Sequence, residues 1–596
     1  MKNKIKILIY SIFTLFYLIY FNKNLYNYDE IKQINSIFQN TSGVLIWLLI
    51  IIIYIFYKEI YSIIESKKLL KVTTIGSIIY TTIFIVGDSF YNTNDWTLII
   101  SSKTTMILSI IKFIGLFILI RNILKILILK IENINISKSK KESFNNVFLM
   151  AIFLFILYLP YVIIFYPGTM NADSLFEIGQ FYGKIKWTQH HPILPTIIYG
   201  TFMKLGKLLF NDNFGLFLSN IFQMIISCII ISYSITTIYE ITKNKTIKII
   251  LFLLFALFPI WPINFYSCVK DVWFSIFFLL FMIMTIKLNY YEVLTKKEWF
   301  IYSLATIFTI LFRNNGIHIV LLSIPFLYIS FKKNQRNNFI KCMIISVIIC
   351  ISFNTIITNI YSIKKGSIRE TLSLPLQQTA RYVVNHKITK KEKKAIEKLV
   401  DIENIKNNYN PETIDYIKIY YKEKSTTKDL INYFIIWTKM FFKHPESYIS
   451  ATINSTYGYF YPNKKEFKDD VAQLTINDIG LEKLGFKLKN SKKNKNKIKK
   501  NIENINTIRH YPLIGIFFNC GTYSCILIFN TLVLWYKKKK KLLLLSPLYC
   551  VILVCIASPV NGLVRYMMPI MITIPFIQIW IIKESQKKET IKIVKE

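Results

Sequence analysis

The stretch from Phe165 to Gln180, continued through Trp187 to Pro192, concentrates ionisable and amide side chains as no other part of this 596-residue chain does. Asp173 and Glu177 stand four residues apart, so on a helix both carboxyls share one face. Gln180, His190 and His191 follow within the same stretch. Just ahead, Tyr166-Pro167-Gly168 stops a helix, because proline cannot continue it and glycine accepts the reversal. A carboxylate placed there can take a proton from an acceptor hydroxyl or hold a divalent cation such as Mg or Mn, with Asp173 the first candidate. The two imidazoles could orient an acceptor or share that cation. A loop that only joins two membrane spans would also carry a boundary carboxylate, so the stretch gains weight only from what meets it.

Arg381, after Pro375-Leu-Gln-Gln-Thr-Ala, lies in the polar stretch beyond 361, and three further polar points interrupt apolar runs: Lys270-Asp271, Arg313-Asn314-Asn315-Gly316 with His318 beyond it, and Arg565 after Asn561-Gly-Leu-Val. Arginine is the informative cation, since only seven of the 74 Lys and Arg residues are Arg. Taken singly, each is an interfacial turn with a cation reaching for water. Taken together at one boundary, Lys270, Asp271, Arg313, Asn315, Arg381 and Arg565 form a candidate binding set around the candidate catalytic Asp173, Glu177, His190 and His191, with Gln180 as a further binding group. Arginine's fork holds phosphate oxygens through paired charge-assisted hydrogen bonds. Carboxylates beside such forks suit an anionic lipid headgroup that is itself a reactant, and that chemistry is glycosyl transfer from a polyprenyl phosphate.

The elements that must carry these residues are apolar helices. A chain that is 53% hydrophobic and 16% aromatic is too apolar for a soluble protein and reads as an all-α polytopic membrane protein. Its net charge of +40 comes from lysine spread evenly among Ile and Asn, which argues against a nucleic-acid surface. The eight cysteines have no CxxC or metal-ligand spacing and read as small core residues. Apolar segments at 7–21, 43–57, 72–86, 98–120, 146–166, 213–237, 249–264, 271–288, 299–312, 315–330, 341–360, 511–536, 542–558 and 565–582 give about fourteen crossings. The lysine-rich loops 58–71 and 121–142, set against the lysine-free 87–97, orient the chain with both termini cytoplasmic in a plasma membrane and the Asp173 stretch outside. The segment 192–210 is read as a juxtamembrane helix, because a crossing there would push four basic segments outside.

The resulting organisation is a four-span region at 1–145, a membrane core at 146–360 whose first outer loop is 167–212, an outer soluble domain at 361–510 containing helical pieces such as 387–402, and three spans with a cytoplasmic tail at 511–596. A first core span, an outer loop with Asp173, and a His191-Pro192 element opening a juxtamembrane helix resemble the GT-C superfamily of lipid-linked-sugar glycosyltransferases, which includes protein O-mannosyltransferases and aminoarabinose transferases. The Arg313-Asn-Asn-Gly316 turn resembles their short turn between later spans. The fuller pattern, with Tyr166-Pro-Gly, His190-His-Pro, Pro375 to Arg381 and Asn561 to Tyr566, looks like an uncharacterised family of bacterial multi-span proteins near that superfamily.

The resemblance implies a GT-C-like core with an inserted extracytoplasmic domain, Asp173 as catalytic carboxylate, Arg313 at the donor phosphate, and a cell-envelope glycan, lipid or protein as acceptor. Two features differ: Asn171-Ala-Asp173 stands where an adjacent acidic pair is usual, and the soluble domain precedes the last spans. Two other functions use the same features. A flippase of lipid-linked saccharides would line a path with these charges, and a non-catalytic envelope assembly protein would use the outer domain to bind partners.

Overall fold

The computed structural model describes residues 2–21, 43–137, 146–291, 293–462, 478–487, 511–558 and 560–586, with single positions between 496 and 507. Every apolar segment anticipated above is helical over most of its length, and among the described residues nine helices are long and apolar enough to cross a membrane. The protein is an α-helical multi-pass membrane protein. Asparagine, abundant in the sequence, starts many of its helices: Asn146, Asn171, Asn211 and Asn244 each accept a hydrogen bond from a backbone N–H three residues on.

The centre is the helix Lys270–Tyr290, apolar on every side and buried throughout its hydrophobic stretch. It packs against Asp212–Thr242, Lys296–Leu311 and Val564–Ser585. The helices Lys67–Thr93 and Lys103–Asn133 pack on each other, and Cys520–Lys537 joins the first of them to the core. The helix Ile193–Leu209, outside the set long and apolar enough to cross, lies along Asp212–Thr242 and beneath Ala172–Phe181. Its glycines permit this: a Cβ at Gly206 would stand 2.1 Å from the Gly215 Cα, and one at Gly200 would enter the Phe181 ring.

Three of the expected segments differ in detail. The one at 249–264 is broken into Lys245–Leu257 and Ile260–Phe265, because Pro259 lacks the N–H and collides with the preceding turn. The one at 98–120 begins with a separate turn, Thr97–Ile100, before the capped helix Lys103–Asn133. The one at 511–536 is continuous only over Cys520–Lys537. The helical piece at 387–402 is likewise two short helices, Lys390–Ile396 and Ile402–Asn408.

Between Ile360 and Pro462 the chain builds a hydrophobic centre of its own, including Leu376, Tyr382, Leu399, Tyr433, Met440 and Tyr448. The helix Lys270–Tyr290 carries ion pairs at both of its ends. At one end Lys287 meets Glu240 and Glu298, while elsewhere Lys537 meets Glu132 and Lys541 meets Glu584. At the other end lies the charged cluster described next.

Candidate functional site

The helix Val147–Ile164 ends at the Tyr166–Gly168 turn, where Gly168 has φ +116° and the Asn220 side chain leaves no room for a Cβ. The chain then runs as the short strand Thr169–Met170, parallel to Ser267–Cys268. Asn171 caps the helix Ala172–Phe181, and the Ser174 hydroxyl, bonded to Asn171 Oδ1 at 2.8 Å, also donates to the Cys268 carbonyl. These contacts fix the start of one helix beside the start of Lys270–Tyr290. Asp173 and Glu177 therefore face Lys270, although 97 residues separate Asp173 from it.

Lys270 Nζ donates to Asp173 Oδ2 at 2.7 Å and to His191 Nδ1 at 3.0 Å, and lies 3.6 Å from Glu177 Oε1. Arg565 reaches the same Asp173 oxygen at 3.1 Å and Asp271 at 4.0 Å. Arg313 stands 3.4 Å from the other Asp271 oxygen, with its guanidinium 4.5 Å from the centre of the Tyr566 ring and 5.4 Å from that of Phe274. The result is a chain of alternating charge from Lys270 through Asp173, Arg565 and Asp271 to Arg313. Glu177 and Asp271 are sealed from solvent and neither carboxylate accepts a hydrogen bond, whereas Asp173 keeps 30% of its side chain exposed.

Environment separates the two acids on one helix face. Burial acts to raise the Asp173 carboxyl, but Lys270 and Arg565 outweigh it and hold Asp173 well below the usual carboxylate range. Burial pushes Glu177 up to about 8 against the pull of Lys270, with Asp173 and Asp271 adding to the rise. His191 is pushed down to about 3 by burial and by Lys270, so its neutral ring accepts the lysine's hydrogen bond. Three basic side chains, Lys270, Arg313 and Arg565, thus gather around Asp173 and Asp271 while Glu177 is held towards its neutral form, and the cluster suits an anion.

Beside the cluster opens a cavity of about 340 Å³ that shares His191 with it. Its walls are Ile193, Ile310, Leu311, Ile317 and Ile351, and its polar edge is Gln189, His191, Asn314 and Gly366. The segment after Ile360 folds over this edge. Gln189 N donates to the Lys364 carbonyl at 2.8 Å, Lys364 N to Trp187 O at 3.2 Å, and Asn314 Nδ2 to the carbonyls of Gln189 and His190.

Of the residues singled out in the sequence, Asp173, Glu177, His191, Lys270, Asp271, Arg313 and Arg565 are brought together. His190 turns outward to Glu370 at 3.9 Å, which in turn is held by Lys418 at 2.7 Å. Gln180 is buried and donates to Lys186 O and Thr188 Oγ1, bracing the loop. Asn315 starts the helix Gly316–Ser330 without a side-chain cap, and its neighbour Asn314 makes the loop contacts instead. Arg381 does not join the cluster: it donates to the Asn94 carbonyl at 3.2 Å and pairs with Asp95 at 3.4 Å, anchoring the 361–462 segment to the turn after Lys67–Thr93. A divalent cation at Asp173 fits poorly, because two cations already hold its oxygen, and no three metal-ligating side chains converge there among the described residues. Sequence reasoning missed Asn314, Tyr566 and Glu370. Tyr566 follows Arg565 directly, and an aromatic next to a rare arginine was the available signal.

Residues 182–595 match the family described as "Family of unknown function (DUF6020)", and the chain belongs to that family. The matched range contains His191, Lys270, Asp271, Arg313 and Arg565, and begins just after Asp173 and Glu177. No curated protein and no solved structure matches the chain.

Proposed function

We propose that this DUF6020 member is a membrane glycosyltransferase that moves a sugar from a polyprenyl-phosphate donor to a cell-envelope acceptor. The observation that carries the reading is the double hold on one oxygen: Lys270 and Arg565 converge on Asp173 Oδ2 at 2.7 and 3.1 Å, as they would on a phosphate oxygen. The adjoining apolar cavity gives the neighbouring lipid chain a place outside water. A bound phosphate competes for both cations. As they turn to it, Asp173 loses the charges that hold its affinity for a proton down, and it becomes the base that takes the acceptor's hydroxyl proton while the sugar's bond to phosphate breaks. Donor binding and base activation are thus one event. Arg313 acts behind this exchange by neutralising Asp271, so that Arg565 is free to move.

In this reading the protein is the GT-C-like core expected above, with about fourteen crossings, both termini cytoplasmic, and the 361–510 segment outside the plasma membrane. The Lys287 end of Lys270–Tyr290 lies opposite the cluster and supports that orientation. The test supplies membranes with candidate lipid-linked sugars and measures release of polyprenyl phosphate. Asp173→Asn, inserted at the wild-type level, is expected to lower release by roughly 10²- to 10⁴-fold while donor binding is retained. Activity within a few-fold of wild type would remove Asp173 from the chemistry, and movement of the lipid-linked sugar across the bilayer without release would identify a flippase.

A further inference from the structure

Histidine is scarce in this chain, with six residues in all, and two of them meet outside the charged cluster. His386 ends the helix Ser373–Asn385 as its C-cap. His444 sits at the joint where Thr427–Lys443 gives way to Pro445–Asn454, and Pro445 at the first helical position sets the bend. Glu446 follows in the first turn of that second helix, where the N-terminal dipole favours its charge. Glu446 Oε1 is 2.9 Å from His444 Nδ1 and 3.6 Å from His386 Nε2, and all three ligand atoms lie within 4.8 Å of one another.

We infer that His386, His444 and Glu446 form a binding site for a zinc-class divalent transition metal. A tetrahedral ion with bonds of 2.0–2.1 Å needs its ligand atoms about 3.3 Å apart, and the two measured edges bracket that value. Two imidazole nitrogens and one carboxylate oxygen are a borderline donor set, which suits Zn, Co, Ni or Cu and disfavours Mg and Ca. The imidazoles are stacked with their centres 3.7 Å apart and planes at 15°. One ring must therefore turn to share an ion, and both side chains keep enough exposure to do so. His386 Nε2 is at present shared with the Ser447 hydroxyl at 2.8 Å, a contact the ion displaces. Lys443, next to His444, has its charge engaged by Glu392 at 3.6 Å. Three protein ligands with an outward-facing fourth position leave room for water or an exogenous group. Drawn from the ends of three helices, the ligands would tie the first helix of the 361–462 segment to its last elbow.

The experiment uses the full chain, purified in detergent, freed of any affinity tag and stripped with chelator, and titrates it with Co²⁺ alone. The expected result is the visible absorption of tetrahedral cobalt at one equivalent per chain, erased by Zn²⁺. The His386→Asn/His444→Asn double variant should lose the absorption while eluting from size exclusion as the wild type does. Glu446→Gln should fold normally and bind at least tenfold more weakly, and His190→Asn/His191→Asn should bind as the wild type does. Absence of the absorption in the wild type, its persistence in the double variant, or its loss in the His190/His191 variant would overturn the assignment.

Discussion

Replacing Glu177 by Gln removes a titration while keeping the side chain's shape, and so reads the electrostatics of the cluster directly. Burial, with Asp173 and Asp271 nearby, moves this carboxyl from its ordinary 4.5 to about 8 even though Lys270 opposes the shift. At about 1.36 kcal/mol per pH unit that is about 5 kcal/mol in all, of which about 3 kcal/mol is already lost by pH 7. The sign follows from the raised value. The folded protein binds the proton more tightly than the unfolded one, so the stability it brings is fully present below about pH 4.5 and is lost as pH rises through about 8. Glu177→Gln mimics the protonated form at every pH. Its Tm should match wild type near pH 5 and exceed it by a widening margin up to pH 8. Infrared difference spectra should show the band of a protonated carboxyl in the wild type, titrating near pH 8 and missing in the variant. Because the wild-type group already carries its proton at neutral pH, donor binding should be nearly unchanged. Parallel Tm curves, or a carboxyl band unaffected by the substitution, would refute the buried neutral acid and with it the anion preference assigned to the cluster.

Arg313→Lys keeps a charge near Asp271 but loses the stacked plane on Tyr566, and should cost roughly 1–2 kcal/mol in thermal stability and raise the KM for the donor; a variant as active as wild type would mark Arg313 as a structural counter-charge to Asp271 with no part in donor binding. Gly206→Ala forces backbone apart at Gly215 and should lower stability by about 1–3 kcal/mol, whereas Gly183→Ala, with open space around it, should cost about 1–2 kcal/mol through its positive φ alone. A Gly206→Ala variant as stable as wild type in thermal scans would mean the two helices do not pack as described. Arg381→Ala should leave turnover within a few-fold and lower Tm, since its partners are Asn94 and Asp95; loss of turnover at unchanged Tm would return it to the site. Single cysteines at Ser174 and Ser447 should react with impermeant reagents from outside intact cells only after the cover around each is loosened, and reaction from the cytoplasmic side would reverse the orientation.

Much of the site could be read from residue spacing because it depends on local rules. The spacing of Asp173 and Glu177 needs only a helix to put both on one face, and Asn171 supplies its cap. The meeting of that face with Lys270 depends on a two-residue parallel pair, Thr169–Met170 with Ser267–Cys268, far too short to leave a period-two pattern in the sequence. Arg381 shows the opposite failure. Its rarity announced importance, but rarity says nothing about place, and the residue serves to hold one part of the fold to another. Asn314 and Asn315 differ by a single step along a turn, and which of them reaches the Gln189 carbonyl is decided by the helix that begins at Gly316, not by either residue's chemistry.

The contrast between Asp173 and Glu177 is the part that no spacing could have supplied. They are one helical turn apart and share Lys270, yet one is held ionised and the other protonated. Lys270 stands 2.7 Å from Asp173 but 3.6 Å from the fully sealed Glu177, and Arg565, which arrives from the far end of the chain, adds its charge to Asp173 alone. Arg565 is in turn placed by the loop before it, where Asn561 takes a hydrogen bond from Gly458 at 2.6 Å and gives one to Glu412 at 3.0 Å, both in the 361–462 segment. The charge state of Asp173 therefore depends on the seating of that segment. A ligand that shifts the segment would change the proton affinity of Asp173 without touching it, and the pH profile of an Asn561→Ala variant would show that coupling as a displaced acidic limb.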